Sequence, residues 1–218
     1  MAYTGKVTVG GVPDVRELAE LIITKVAVGP MDNNAYLLRS WQTDEQILVD
    51  AANDAGTLLE LIGDSGLRSV VTTHGHYDHW QALAEVVEAT GAETVAGAED
   101  ADDLPIEVAR RVSDGDTVRV GRCELEVIHL VGHTPGSIAL LYDDPEGPPH
   151  LFTGDSLFPG GVGNTHGNKE DFESLIGDVE HKLFDRLPDE TWVYPGHGDD
   201  TTLGHERPAL PEWRTRGW

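Results

Sequence analysis

One ten-residue stretch constrains this chain more than any other: Val70-Val71-Thr72-Thr73-His74-Gly75-His76-Tyr77-Asp78-His79. An apolar, β-branched run empties into three histidines and an aspartate within six residues. The branched side chains of Val70, Val71, Thr72 and Thr73 favour a strand, and Gly75 lets the backbone turn where a bulkier residue would clash. His74 and His76 are two apart, so in extended chain their imidazoles point the same way and can grip one ion. Asp78 and His79 are adjacent and cannot share that direction; they serve the far side of the same site or a second ion. A lone histidine would read as an ordinary surface or core residue. The cluster reads as a metal site.

The flanking segments have a strand-loop rhythm. Residues 1–20 read as a peripheral arm, Gly-rich at first and helix-like around Val15–Glu20. Leu21–Val28 and Ala35–Ser40 are apolar and β-rich, and the Gly29-Pro30-Met31-Asp32-Asn33-Asn34 turn between them predicts a hairpin. Gln46–Val49 is a third strand ending at Asp50, parallel to the one that delivers His74. Asp54–Ile62 and Trp80–Thr90 have helical spacing, the second stopped by Gly91. Thr94–Ala96 is a short strand, and Thr117–Val120 with Cys123–Leu130 forms a hairpin around Gly121-Arg122. Three further strands each end in a polar, Gly-flanked loop: Val127–Leu130 before His133, His150–Thr153 before Asp155, and Thr191–Tyr194 before His197. Lys169–Leu187 is an amphipathic helix with Phe172, Leu175, Ile176, Val179, Leu183 and Phe184 on one side.

Composition narrows the function class. Against 15 basic residues the chain carries 39 acidic ones, a formal charge of −24. Such a field repels phosphate backbones and anionic lipid, which argues against nucleic-acid and membrane partners and for a small-molecule substrate. No apolar run approaches a membrane span, and the N-terminus lacks the regions of a signal peptide. The single cysteine, Cys123, allows no internal disulfide and sits in an alternating strand as a core residue. A cytoplasmic chain of one domain over residues 1–218, of unassigned oligomeric state, is expected.

Thr-His-x-His-x-Asp-His at 73–79, Gly-His-Thr-Pro-Gly-Ser at 132–137, Thr-Gly-Asp-Ser-Leu-Phe at 153–158 and Pro-Gly-His-Gly at 195–198 form an ordered set. It resembles the metallo-β-lactamase superfamily, and within it the small hydroxyacylglutathione hydrolase (glyoxalase II)-like members, over Ile22–Thr202. The resemblance implies a mixed α/β (α+β) fold, a four-layer αββα sandwich, with a binuclear centre. His74, His76 and His133 would hold one ion, Asp78, His79 and His197 the other, and Asp155 would bridge them. Asp50 would stand behind the ligands and orient one of their loops. The implied cofactors are two divalent ions, zinc first, with iron or manganese also suited to imidazole and carboxylate donors.

The resemblance implies a metallo-hydrolase in which a hydroxide between the ions attacks a thioester, with Asp78 orienting the water or taking its proton. Its alternatives are a mononuclear-iron persulfide dioxygenase held by His74, His133 and Asp155, or a lactone or other ester hydrolase. The substrate-facing loop is Leu157–His166, with Asn164 and His166 as candidates. Two departures bear on the substrate. Many relatives carry a basic residue where Asn164 stands, and long members add a C-terminal glutathione-binding segment for which the 21 residues after His197 leave little length. Another thiol carrier is as compatible as glutathione.

Overall fold

Two sheets, each apolar on both faces, set the architecture of residues 2–217, which the computed structural model describes. The first has seven strands in chain order: β1 (Asp14–Glu17), β2 (Leu21–Val28), β3 (Asn33–Ser40), β4 (Gln46–Val49), β5 (Ser69–Thr72), β6 (Glu93–Gly97) and β7 (Arg110–Val112). Neighbours β1 to β4 are antiparallel. From β4 to β7 they run parallel, with α1 (Ala55–Ile62) and α2 (Leu83–Thr90) as crossovers. Asp54 starts α1 by accepting the Thr57 N–H at 3.3 Å, which satisfies one of the helix's free donors.

The second sheet is built from β8 (Thr117–Val120), β9 (Cys123–His129), β10 (Ile138–Tyr142) and β11 (His150–Gly154). The short ribbon β12 (Leu157–Phe158) and β13 (Gly161–Val162) and helix α3 (Lys169–Asp178) then precede β14 (Trp192–Pro195) and β15 (Thr201–Thr202). Its spatial order is β15-β14-β11-β10-β9-β8, and β11 and β14 are the parallel pair. Helices α4 (Leu203–Glu206) and α5 (Leu210–Arg216) close the chain.

The two-residue period of a strand sorts side chains into layers. In β4, Ile47 and Val49 face the other sheet while Leu48 faces the helices; in β10, Ile138, Leu140 and Tyr142 face inward while Ala139 and Leu141 face out. Three apolar clusters result. Leu58, Ile62, Leu83 and Val86 of the helices pack on the first sheet. Ile23, Leu38, Val71, Leu125, Phe152 and Tyr194 fill the space between sheets. Phe172, Leu175, Ile176, Leu203 and Trp213 cover the second sheet. This is a helix-sheet-sheet-helix sandwich, as the resemblance implies.

Three local expectations are corrected. The helix-like Val15–Glu20 is instead covered by β1 through Glu17, which pairs antiparallel to β2 with Asp14 opposite Lys25; its alternating exposure suits an edge strand. The arm before it is tied in, since Lys25 Nζ donates to the Gly5 carbonyl at 2.7 Å. The helix read across Lys169–Leu187 is α-helical only to Asp178 and widens to a π turn over Val179–Phe184, where Asp185 N–H reaches the Glu180 carbonyl five residues back.

Among the described residues no helix is long and apolar enough to cross a membrane. Cys123 is buried in β9 and unpaired.

Candidate metal centre

Parallel strands deliver their C-terminal ends to one edge, and the polar loops gather there. Asp50 follows β4, His74 follows β5, Asp155 follows β11 and His197 follows β14, while His133 lies in the β9–β10 loop. A bridge between Asn33 and His197 ties the first sheet to the second at this edge, and the Asn34 N–H donates to the Gly196 carbonyl at 2.7 Å.

Three groups of side chains present ligand atoms within 4.8 Å of one another: His74, His76 and His133; His74, His79 and Asp155; and Asp78, His79 and His197. His76 Nδ1 is 2.9 Å from His133 Nε2, and His79 Nε2 is 3.3 Å from His197 Nε2. Asp155 lies between the groups: Oδ1 is 3.3 Å from His79 Nε2, and Oδ2 is 3.6 Å from His133 Nε2 and 3.5 Å from His197 Nε2. Asp78 Oδ2 is 3.3 Å from His197 Nε2. All seven residues singled out as ligands therefore meet in one place.

The outer nitrogens of three histidines are held by acceptors. His79 Nδ1 donates to Asp50 Oδ2 at 2.8 Å, His133 Nδ1 to the Asn164 carbonyl at 2.8 Å, and His197 Nδ1 to the Met31 carbonyl at 2.9 Å. Each bond keeps the proton on Nδ1 and turns the Nε2 lone pair inward, which is how protein groups orient histidine ligands. Asp50 also accepts the Thr73 N–H at 2.7 Å and hydroxyl at 2.8 Å, so it braces the strand end that carries His74.

Lone pairs this close repel unless a cation separates them. His74 Nε2 and Asp155 Oδ1 are buried with no hydrogen-bond partner, an expensive arrangement that an ion would relieve. The pKa shifts carry the same message. Burial pushes His197 down, but Asp155 and Asp78 outweigh it and lift the imidazole to about 10. Burial likewise opposes charge on His79, yet Asp155 and Asp50 raise it well above the usual range. His74 is pushed well below its usual value by burial and by the charge of His79. Asp155 and Asp78 are held low by their histidine neighbours against the effect of burial. The raised imidazoles of His79 and His197 mark where the carboxylates favour positive charge, and the donor set of imidazole and carboxylate fits divalent ions.

Gly196 allows this closeness. A Cβ there would lie 2.1 Å from Asp155 Oδ1 and 2.7 Å from His79 Cε1.

A cavity of about 680 Å³ opens on the centre, lined by His133, Asp155, His197, Asn164, the β12–β13 ribbon from Phe158 to Val162, and Arg216 and Gly217 from the end of α5. A larger one of about 840 Å³, bordered by Glu20, Cys123, Tyr142 and Arg186, contains none of the candidate ligands. Asn164 lines the first, and its side chain accepts the His166 N–H at 2.7 Å. His166 is not among the lining residues; it is exposed, with its ring 6.0 Å from that of His76 and a left-handed φ of 55°.

Three contributors escape sequence reasoning. Asn33 lies in what reads as a turn, yet its amide donates to Asp78 Oδ2 at 2.9 Å and lies 3.3 Å from His197 Nε2. Asp100 bonds the backbone beside two ligand loops, and Arg216 reaches the cavity from the last helix. Only the doubled asparagine after Gly-Pro offered a signal.

A sandwich whose strand ends converge on clustered histidines and aspartates defines a metal-dependent hydrolase scaffold. The model of the metallo-beta-lactamase superfamily matches residues 28–197, and the chain belongs to that superfamily. Among relatives, a Haemophilus influenzae protein named hydroxyacylglutathione hydrolase GloC is 31% identical over 85% of this chain and 95% of its own length. A Polaromonas hydroxyacylglutathione hydrolase is 36% identical over 81% of this chain, which spans 66% of that relative. Among solved structures, ETHE1 from Myxococcus xanthus superposes with a TM-score of 0.74 at 31% identity, covering 87% of this chain and 83% of its own. The TTHA1623 protein in a di-iron-bound form gives 0.70 at 33% identity, covering 84% and 96%.

Proposed function

We propose that this chain is a binuclear metal-dependent thioester hydrolase of the glyoxalase II type, acting on an S-acyl thiol. The observation that carries the reading is the Asp155 carboxylate, whose Oδ2 lies 3.6 Å from His133 of one group and 3.5 Å from His197 of the other while Oδ1 lies 3.3 Å from His79, so that it stands between the two groups and can serve both ions. His74, His76 and His133 would hold one ion; Asp78, His79 and His197 the other. The hydroxyacylglutathione hydrolase relatives support the reaction class, and the di-iron neighbour supports a two-ion centre. Bound divalent ions lower the pKa of water towards neutrality and polarise a carbonyl.

The protein's part is placement. Asp78, kept ionised by His197 and Asn33 against the effect of burial, is an acceptor that orients the attacking water and can take its proton. A thiol leaves as thiolate at a pKa near ~8.5, so no dedicated acid is required. Phe158, Pro159 and Val162 offer an apolar wall for the acyl or thiol arm, and Arg216 is the one lysine or arginine among the cavity's described lining residues. That cation favours a substrate with an anionic end, against the net charge of −24 elsewhere.

The test combines elemental analysis with thiol release from a panel of acyl thiols. Two ions per chain with release of free thiol are expected. Oxygen uptake at one iron per chain would instead establish the persulfide dioxygenase, and two ions with no release from any thioester would sink the hydrolase.

A further inference from the structure

Asp100 lies between the end of β6 and the turn at Ala101–Asp103, fully buried, with no Lys, Arg or His nitrogen within 4 Å among the described residues. Its carboxylate is spent on two loops. Oδ2 accepts the Gly75 N–H at 2.8 Å and the Thr134 hydroxyl at 2.5 Å, and Oδ1 accepts the Gly136 N–H at 2.6 Å. Gly75 stands between His74 and His76; Thr134 and Gly136 follow His133. Thr134 is itself held, since it accepts the Ser137 hydroxyl at 2.5 Å while donating to Asp100. The fit is tight: a Cβ on Gly136 would lie 2.4 Å from the Asp100 nitrogen.

We propose that Asp100 is a positioning residue that locks the His74–His76 loop to the His133 loop and thereby sets the affinity of the three-histidine group for its ion. This rests on the reading of the cluster as a two-ion centre. The arrangement mirrors Asp50, which braces His79 in the other group. Asp100 touches only the two loops of the three-histidine group, whereas Asp50 holds both His79 and the strand end before His74, so removing Asp100 should weaken one ion and spare the other. A buried acid that merely stabilised the fold would affect both alike.

The experiment is a competitive titration of metal-free protein with Zn²⁺ against a chromophoric chelator. Wild type, Asp100→Asn, Thr134→Val and Thr134→Ser are compared, and Asp100→Asn is repeated in His197→Ala and His76→Ala backgrounds. Asp100→Asn should weaken one ion by about 10–100-fold, the usual cost of losing a group that orients ligands, and leave the other within about threefold. The loss should persist in the His197→Ala background and vanish in the His76→Ala background. Thr134→Val should reproduce a smaller, selective loss and Thr134→Ser restore it, which keeps the test alive if Asp100→Asn does not fold. Equal weakening of both ions, or of neither, overturns the role of Asp100. A wild-type protein that binds fewer than two ions overturns the two-ion reading itself, and this inference with it.

Discussion

His79 and Asp50 meet through a 2.8 Å contact between Nδ1 and Oδ2, both side chains closed to solvent. Asp50 reaches this position from a left-handed backbone with φ 61°, directly after β4. Asparagine tolerates that conformation, so Asp50→Asn keeps the backbone but replaces one of the two oxygens that hold His79 and Thr73 with a donor. Affinity for the ion of the Asp78–His79–His197 group should fall about 10–100-fold in a chelator titration. An unchanged second ion would show that His79 needs no acceptor.

Gly196→Ala should empty the centre without unfolding the protein. The new methyl would lie 2.1 Å from Asp155 Oδ1, so the carboxylate shared by both groups must move. Elemental analysis should find the loss of at least one ion per chain while circular dichroism stays that of wild type. Full occupancy would mean the edge is softer than its packing suggests.

Lys25 and Asp200 form a fully buried ion pair at 2.6 Å, and Lys25 also donates to the carbonyls of Gly5 and Gly198. Asp200 further accepts from Tyr3 and Trp192. Burial lowers the lysine and raises the aspartate, the direction in which each charge costs more without the other. Lys25→Met leaves a buried carboxylate without its cation and should destabilise by about 3–5 kcal/mol. Denaturant unfolding checks this, and a loss below about 1 kcal/mol would refute it.

His150 gives a pH signature away from the metal ligands. Burial, with the charge of Arg16 behind it, lowers its imidazole to about 4, while Tyr194 shares its Nδ1 at 2.8 Å. The unfolded chain binds this proton near ~6.5 and the folded chain only near 4, so stability is intact above neutrality and lost as pH falls from about 6.5 to 4. Metal-free wild type should lose up to about 3 kcal/mol more than His150→Gln across that window. Parallel stability curves would show that His150 titrates normally.

Arg216 sits in the cavity with its guanidinium donating to the Gly160 carbonyl at 3.1 Å and still half-exposed. If it anchors an anionic end, Arg216→Ala should lower kcat/KM about tenfold for carboxylate-bearing thioesters, mostly through KM, and leave neutral ones unchanged. Equal effects on both substrates would remove it from recognition.

Much of this centre was legible because each ligand stands in a short local motif just after a strand, with a glycine directly before His76, His133, Asp155 and His197. Strand ends at Asp50, Thr72, Gly154 and Pro195 follow from that pattern. The partners that steer the ligands were not legible. Asn33 looks like a turn residue, and Asp100 looks like one more acid in an acidic chain; neither has a local signature, because its role depends on a loop brought near from elsewhere. Strands β7 and β10 were passed over for a related reason: Arg110–Val112 is too short to show a period, and Ile138–Tyr142 is apolar on both faces.

The sequence by itself determined the family, the alternating strands that bury two sheet faces, and the identity of the donor atoms, since these rest on residue type and short-range spacing. The tertiary structure decided which donors share a group, which nitrogen of His79, His133 and His197 faces inward, and that Arg216 closes the cavity. Those depend on contacts between segments tens to more than a hundred residues apart, as from His79 to His197, and only the packing of the two sheets brings such segments within hydrogen-bond range.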